Sequence, residues 1–172
     1  YLYMVGGDNN GTLSADGERV LLKPDGTLGS PEPVAALPVP DKGYMLQNHH
    51  LLYFLSTNKT RKVMVTRLLP DGSLEGWCET TSLPDGVSTF QAIADIRRLF
   101  LYAVKDGSGK LDGQLYFAPI KDKQGAKDIF GGSLDSWLCS LHGLLQVTQV
   151  TPREMAAAVI ARDAMFLIGG KD

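Results

Sequence analysis

Pro70-Asp71-Gly72-Ser73-Leu74-Glu75-Gly76-Trp77 is the stretch on which the fold turns, because the chain carries versions of it elsewhere. Pro24-Asp25-Gly26-Thr27-Leu28 precedes it and Gly131-Gly132-Ser133-Leu134-Asp135-Ser136-Trp137 follows it. Asp-Gly between two β-type runs is a hairpin signal, since Gly accepts the positive φ that tight turns require. Upstream of the stretch lies the apolar run Leu52-Tyr53-Phe54-Leu55, and that run recurs too, as Leu2-Tyr3-Met4-Val5, Leu101-Tyr102-Ala103-Val104 and Met165-Phe166-Leu167-Ile168. Its aromatic falls at 3, 53, 102 and 166, so the steps are 50, 49 and 64 residues. A third motif keeps the same order: Leu37-Pro38 and Leu83-Pro84, with Leu144-Leu145 in the last unit. Three motifs repeated in one order define an internal repeat, and the long third step is accounted for by the polar insertion Lys121–Asp128, which belongs in a loop.

Within a unit, a strand such as Thr89-Phe90-Gln91-Ala92-Ile93-Ala94 leads into the aromatic strand. A polar loop then leads to a third strand, Lys62–Leu68 in the second unit, and the Asp-Gly turn to a fourth that carries the Trp. Four strands in about 50 residues is the size of a propeller blade. Ala92 and Ala94, aligned with Ala156 and Ala158 by counting back from the aromatics, suit the narrow inner end of a blade. A helix is the competing reading for Pro152–Ala158, because Ala and Met favour helices and Pro suits a helix start; the repeat register selects a strand.

The glycine pairs after an apolar strand (Gly6-Gly7 and Gly169-Gly170) and the tryptophans Trp77 and Trp137 resemble kelch-type repeats. The resemblance covers essentially the whole chain. It departs at Ser56-Thr57 and Lys105-Asp106, which stand where glycine pairs would be, and at Pro31, which replaces the first Trp. It implies an all-β, kelch-like β-propeller of about three and a half four-stranded blades, with units of approximately 1–37, 38–83, 84–145 and 146–172. The chain then enters in the second strand of one blade and stops after the second strand of another. A ring of ordinary size needs four to eight blades, so the expectation is a fragment of a longer propeller or two copies completing one ring.

The remaining bulk features exclude more than they assign. A net charge of -2 gives no broad reason to expect nucleic acid, and no apolar run is long enough to span a bilayer. Cys78 and Cys139 are too few for a disulfide framework and lack partners at metal-ligand spacing. His49, His50 and His142 do not have zinc spacing, and no nucleophile elbow or phosphate-cradling loop occurs. Pro70–Trp77 differs from the Asp-box turn of sialidases, in which one residue separates the Asp from the Gly.

The meander gathers loops at two ends. One end is expected to hold Asp8, Asn9, Asn10, Asn58, Lys59, Lys105, Asp106, Lys110 and Asp112, together with Asp41-Lys42, as a polar face able to bind a glycan or a protein edge. The other holds the Asp-Gly turns with His49, Arg98 and Arg162, each four residues before its aromatic, as a possible anion-binding set or as partners of nearby aspartates. The expectation is a non-catalytic recognition or assembly module with no catalytic residue, metal or cofactor of its own. Its partners would be a protein or glycan and further blades, without nucleic acid or membrane insertion. Turns of this kind favour a larger extracellular, cell-surface or virion protein. The rival readings are a propeller domain of a sugar-active enzyme whose catalytic residues lie elsewhere, and a structural segment that closes a ring with a second chain.

Overall fold

The computed structural model describes residues 1–95, 97–106, 108–121, 134, 138–139, 157–161 and 164–170. It is all-β, with no helix among the described residues, and every ladder is antiparallel. In chain order the strands are β1 (Leu2–Asn9), β2 (Thr12–Leu22), β3 (Leu28–Val34), β4 (Gly43–Asn48), β5 (Leu51–Ser56), β6 (Val63–Arg67) and β7 (Cys78–Glu79), followed by β8 (Val87–Ala94), β9 (Arg98–Asp106), β10 (Leu111–Pro119), β11 (Leu138–Cys139), β12 (Ala157–Ala161) and β13 (Ala164–Ile168). They form β1-β2-β3, β4-β5-β6-β7, β8-β9-β10-β11 and the hairpin β12-β13, each a meander in which neighbours in sequence are neighbours in the sheet. Two compact units divide the chain, Tyr1–Glu79 and Thr80–Asp172.

In the first unit, the core lies between its two sheets. Val5 from the first sheet and Leu37 from the segment after it meet Phe54 and Met64 from the second, with Ala15, Met45 and Trp77 packed around them. Phe54 is paired with Met45 on one side and Met64 on the other, and directly paired residues share a face, so this face of the second sheet looks at the first. Tyr53, Leu55, Val63 and Val65 occupy the opposite face and are also buried. That explains why β5 reads as a continuous apolar run instead of an alternating one. Burial of each such side chain contributes about 1.5–3 kcal/mol. The first sheet is different: β3 carries Pro31 and Pro33, which supply no N–H, and it lies at the sheet's edge where that loss is tolerated.

The Asp-Gly turns differ in detail from a two-residue hairpin. Gly26 and Gly72 have φ of 82° and 80°, but Asp25 and Asp71 do not enter the positive region, so Pro-Asp forms the centre of each turn and Gly follows it. Pro favours that second place and Gly the fourth. A true Asn-Gly hairpin turn stands instead at Asn10-Gly11, where both φ values are positive, 52° and 86°. Trp77 sits just ahead of β7, a strand of only two residues, and not within it. For the segment 152–158, Ala157 and Ala158 are in strand β12, paired with Ile168 and Leu167; residues 152–156 lie outside the described residues.

Candidate functional site

The segment from Ala35 to Lys42 links the two sheets of the first unit, and two prolines in it, Pro38 and Pro40, supply no N–H. Leu37 N–H donates to Ala15 O at 2.8 Å and Asp41 N–H to Ser14 O at 3.1 Å. Gly7 N–H in turn donates to Asp41 O at 2.8 Å. Gly6 makes this approach possible, because a Cβ there would lie 2.5 Å from Asp41 O. The first half of the glycine pair therefore has a steric cause beyond its φ of 66°.

Asp41 is only 3% exposed, and both oxygens of its carboxylate are engaged. Oδ1 accepts from Lys42 N–H at 2.8 Å and from Ser56 Oγ at 3.1 Å, while Oδ2 accepts from Thr60 Oγ1 at 2.6 Å. Ser56 Oγ also accepts from Asn58 N–H at 3.1 Å. Hydrogen bonds to a charged group are worth about 1.5–3 kcal/mol each, so this side chain ties the inter-sheet segment to the β5–β6 loop. It is an anchor, in which both carboxylate oxygens accept hydrogen bonds.

Outside the anchor stand the polar groups expected from sequence. Asp8 and Lys42 form an ion pair at 2.8 Å, and Gly11 N–H donates to Asp8 Oδ1 at 2.7 Å. The Lys42 ammonium, and after it the Gly11 N–H, hold the Asp8 carboxyl below its usual range. Asn9 and Asn10 are exposed beside them, and Lys59 is exposed on the β5–β6 loop, where its N–H donates to Asn58 Oδ1 at 2.8 Å. Asp8, Asn9, Asn10, Asn58 and Lys59 thus share one end of the first unit. Asp8 and Asn9 belong to β1 itself instead of a loop. Of the four candidates in the second unit, Lys110 is exposed in the β9–β10 connection, Lys105 and Asp106 end β9, and Asp112 lies in β10. The strands run further into that connection than the sequence suggested, because pairing continues to Leu111 opposite Lys105.

Of the three cation-capable positions, His49 and Arg98 prove unequal. His49 sits in a two-residue turn with φ of 53°, its carbonyl accepting from Gln47 Nε2 at 2.9 Å. Arg98 follows a longer turn, since Ala94 pairs with Leu99, and its guanidinium meets Asp95 at 3.0 Å and lies over the Phe100 ring at 5.2 Å. Arg162 lies outside the described residues. Equal spacing from the aromatic therefore does not give equal geometry, because the turn between the first two strands changes length from unit to unit.

One feature of the first unit had no counterpart among the sequence candidates. A pocket of about 130 Å³ opens beside Asp41, lined by Leu37, Pro38, Val39, Phe54, Met64 and Trp77 with Lys62 and Glu79 at its rim. Lys62 and Glu79 pair at 2.8 Å. Trp77 is set by Nε1–H donating to Ala35 O at 2.9 Å and by an edge contact with Phe54 at 6.4 Å. Its volume approaches that of an engineered apolar cavity of about 150 Å³ that holds benzene; it suits one ring-sized group. The recurrent Leu37-Pro38 and Trp77 were visible as motifs, but nothing in their spacing places them on one wall. Among the described residues no three His, Cys, Asp or Glu side chains gather as a metal site.

Comparison with protein-family models, with curated proteins and with solved structures finds no match.

Proposed function

We propose that the chain is a run of kelch-like β-propeller blades serving as a non-catalytic recognition module, which binds a protein or glycan at the Asp41 end of its first unit. The observation that carries the reading is the anchoring itself: a buried carboxylate bonded through both oxygens holds two loops in place beneath a largely exposed set of Asp8, Asn9, Asn10, Lys42 and Lys59. Loops held by a rigid scaffold are where recognition concentrates, and a pre-formed surface loses less entropy on binding. The pocket beside it adds an apolar, Trp-walled recess for a single ring or side chain. Two opposite-sign pairs, Asp8 with Lys42 and Lys62 with Glu79, offset four of the charges there, which favours a neutral ligand over a polyanion. The propeller reading is supported by two four-stranded meanders in succession, flanked by sheets of three and two strands.

The test uses the whole chain on a glycan array and in pull-downs, next to a panel of chromogenic glycosides. Binding without turnover, reduced by Asp8→Ala combined with Lys42→Ala, is the expected result. Turnover would replace this reading with a sugar-active enzyme; neither binding nor turnover would leave a structural segment.

A further inference from the structure

The pocket of the first unit has a graded lining, apolar within and charged at its mouth. Across the second sheet, Met45, Phe54, Met64 and Glu79 are paired in succession, so they form one row on one face. The pocket follows that row from Phe54 through Met64 to Glu79. Leu37, Phe54 and Met64 are buried core residues and fix its floor, while Pro38 and Val39 are exposed and form a lip. Lys62 and Glu79 close on each other at 2.8 Å where the row turns polar. A floor made of core side chains is pre-formed, which lowers the entropy lost on binding.

The side chains within are poor partners for a hydroxyl. Leu37, Pro38, Val39, Phe54 and Met64 offer no strong donor or acceptor. The Trp77 Nε1–H is committed to Ala35 O at 2.9 Å, and both oxygens of the Asp41 carboxylate accept from groups of the chain itself. A sugar ring carries hydroxyls around its edge, and seating one here would strip them of water without replacing the bonds. A phenyl ring has no such loss. It meets the Phe54–Trp77 pair, already packed edge to face at 74°, and the Met64 thioether, and both kinds of group attract an aromatic. We infer that the pocket seats one phenylalanine side chain presented by a protein partner, with Lys62 and Glu79 bonding the partner's main chain at the mouth. An ammonium has several donors and a carboxylate several acceptor sites, so the bond these two share leaves capacity for a carbonyl and an N–H. The inference rests on the proposed recognition reading and selects protein over glycan as its ligand.

Nuclear magnetic resonance of the whole, isotope-labelled chain tests it, with the indole N–H signal of Trp77, identified as the one that survives Trp137→Phe, as the reporter. A blocked glycine peptide carrying a single phenylalanine is expected to shift that signal saturably, half-way at roughly 1–10 mM. The alanine counterpart of the peptide and methyl glucoside should leave it in place. Val39→Asp, at the exposed lip, should weaken the peptide about tenfold or more by setting a charge against the ring, and the dispersion of the same spectrum verifies that the variant is folded. The probe reads the pocket, whereas Asp8→Ala with Lys42→Ala on the array and in pull-downs reads the polar face, so failure of this inference and failure of the recognition reading appear in different measurements. Saturation by methyl glucoside in place of the peptide would overturn the inference and leave the recognition reading with a glycan as its ligand. A peptide that gives no saturable shift up to its solubility limit, or that binds Val39→Asp as well as the parent, would overturn it too.

Discussion

The first unit builds the same turn twice, and the two copies differ only in what covers them. In both, Asp Oδ1 accepts from the N–H and hydroxyl two residues on: Thr27 at 2.9 and 2.7 Å for Asp25, Ser73 at 2.9 and 2.6 Å for Asp71. In both, Gly N–H closes back, Gly26 to Lys23 O at 2.9 Å and Gly72 to Leu69 O at 2.8 Å. Yet the turn at Asp25 is exposed, while the one at Asp71 is gripped by the other sheet. Tyr3 Oη–H donates to Gly72 O at 2.7 Å and Arg19 Nη1 to Asp71 O at 2.8 Å, and the Tyr1 ring lies over Gly72. Arg19 also stacks on Tyr1 at 4.6 Å and pairs with Glu32 at 2.8 Å. Local sequence thus makes the turn, and tertiary contact decides whether it also serves as a clamp.

Alanine at the two glycines separates these contributions most strongly. Gly26→Ala should cost about 1–2 kcal/mol, the penalty for a Cβ in the left-handed region. Gly72→Ala pays the same and also places Cβ 2.7 Å from the Tyr1 ring and 3.0 Å from Arg19 Nη1. Those are side-chain ends that can swing away, so the added loss is that of the clamp, about a further 1 kcal/mol. Urea midpoints that coincide for the two variants would mean that the grip on Gly72 contributes nothing.

Tyr3→Phe isolates one strand of that grip. Removing the hydroxyl leaves Gly72 O without its donor and is expected to cost about 0.5–1.5 kcal/mol. Burial pushes the Tyr3 phenol above its ordinary range. Phenol absorbance titrated in the intact chain and in the variant should accordingly differ by a late-titrating component that the variant lacks.

The smallest expected effect is the one the two turns share. Hydroxyl donation from Thr27 and from Ser73, followed by the N–H of the same residue, holds Asp25 and Asp71 below the usual carboxylate range. For a depressed carboxyl, the stabilisation is present above the unfolded value of about 3.9 and is lost as the pH falls through the folded value. Stability should fall on acidification below about pH 4. Asp25→Asn and Asp71→Asn should each flatten that fall by similar amounts, with the Asp71 variant slightly ahead because Arg19 also lowers Asp71. Chemical denaturation at pH 7 and at successive acidic values provides the comparison. A pH slope that changes only at Asp71 would show that the clamp, not the local turn, governs the titration.

What could be read from the residues was whatever depends on near neighbours. The strand order, the turns at Asp25 and Asp71 and the aromatic strands all follow from patterns two to five residues long, repeated often enough to reinforce one another. Polar loop residues at one end were legible for the same reason: Asp8, Asn10 and Lys59 flank strands whose ends the pattern marks. Asp41 was named only as one loop residue among many. Its role depends on Ser56 and Thr60, fifteen and nineteen residues away, and on Gly6, across the sheet contact. The pocket depends on residues from 37 to 79 converging on one wall. Spacing alone made His49 and Arg98 equivalent, and a turn of different length undid it.

The amino-acid sequence by itself determined that this chain is built of antiparallel hairpins with Pro-Asp-Gly turns, since φ preferences, period-2 alternation and side-chain-to-backbone bonds operate within a few residues. Only the tertiary structure decided which turn is clamped and that Asp41 is buried with both carboxylate oxygens bonded. Those outcomes depend on how one sheet packs against another, where contacts of sub-ångström tolerance such as Gly6 against Asp41 O select a single arrangement.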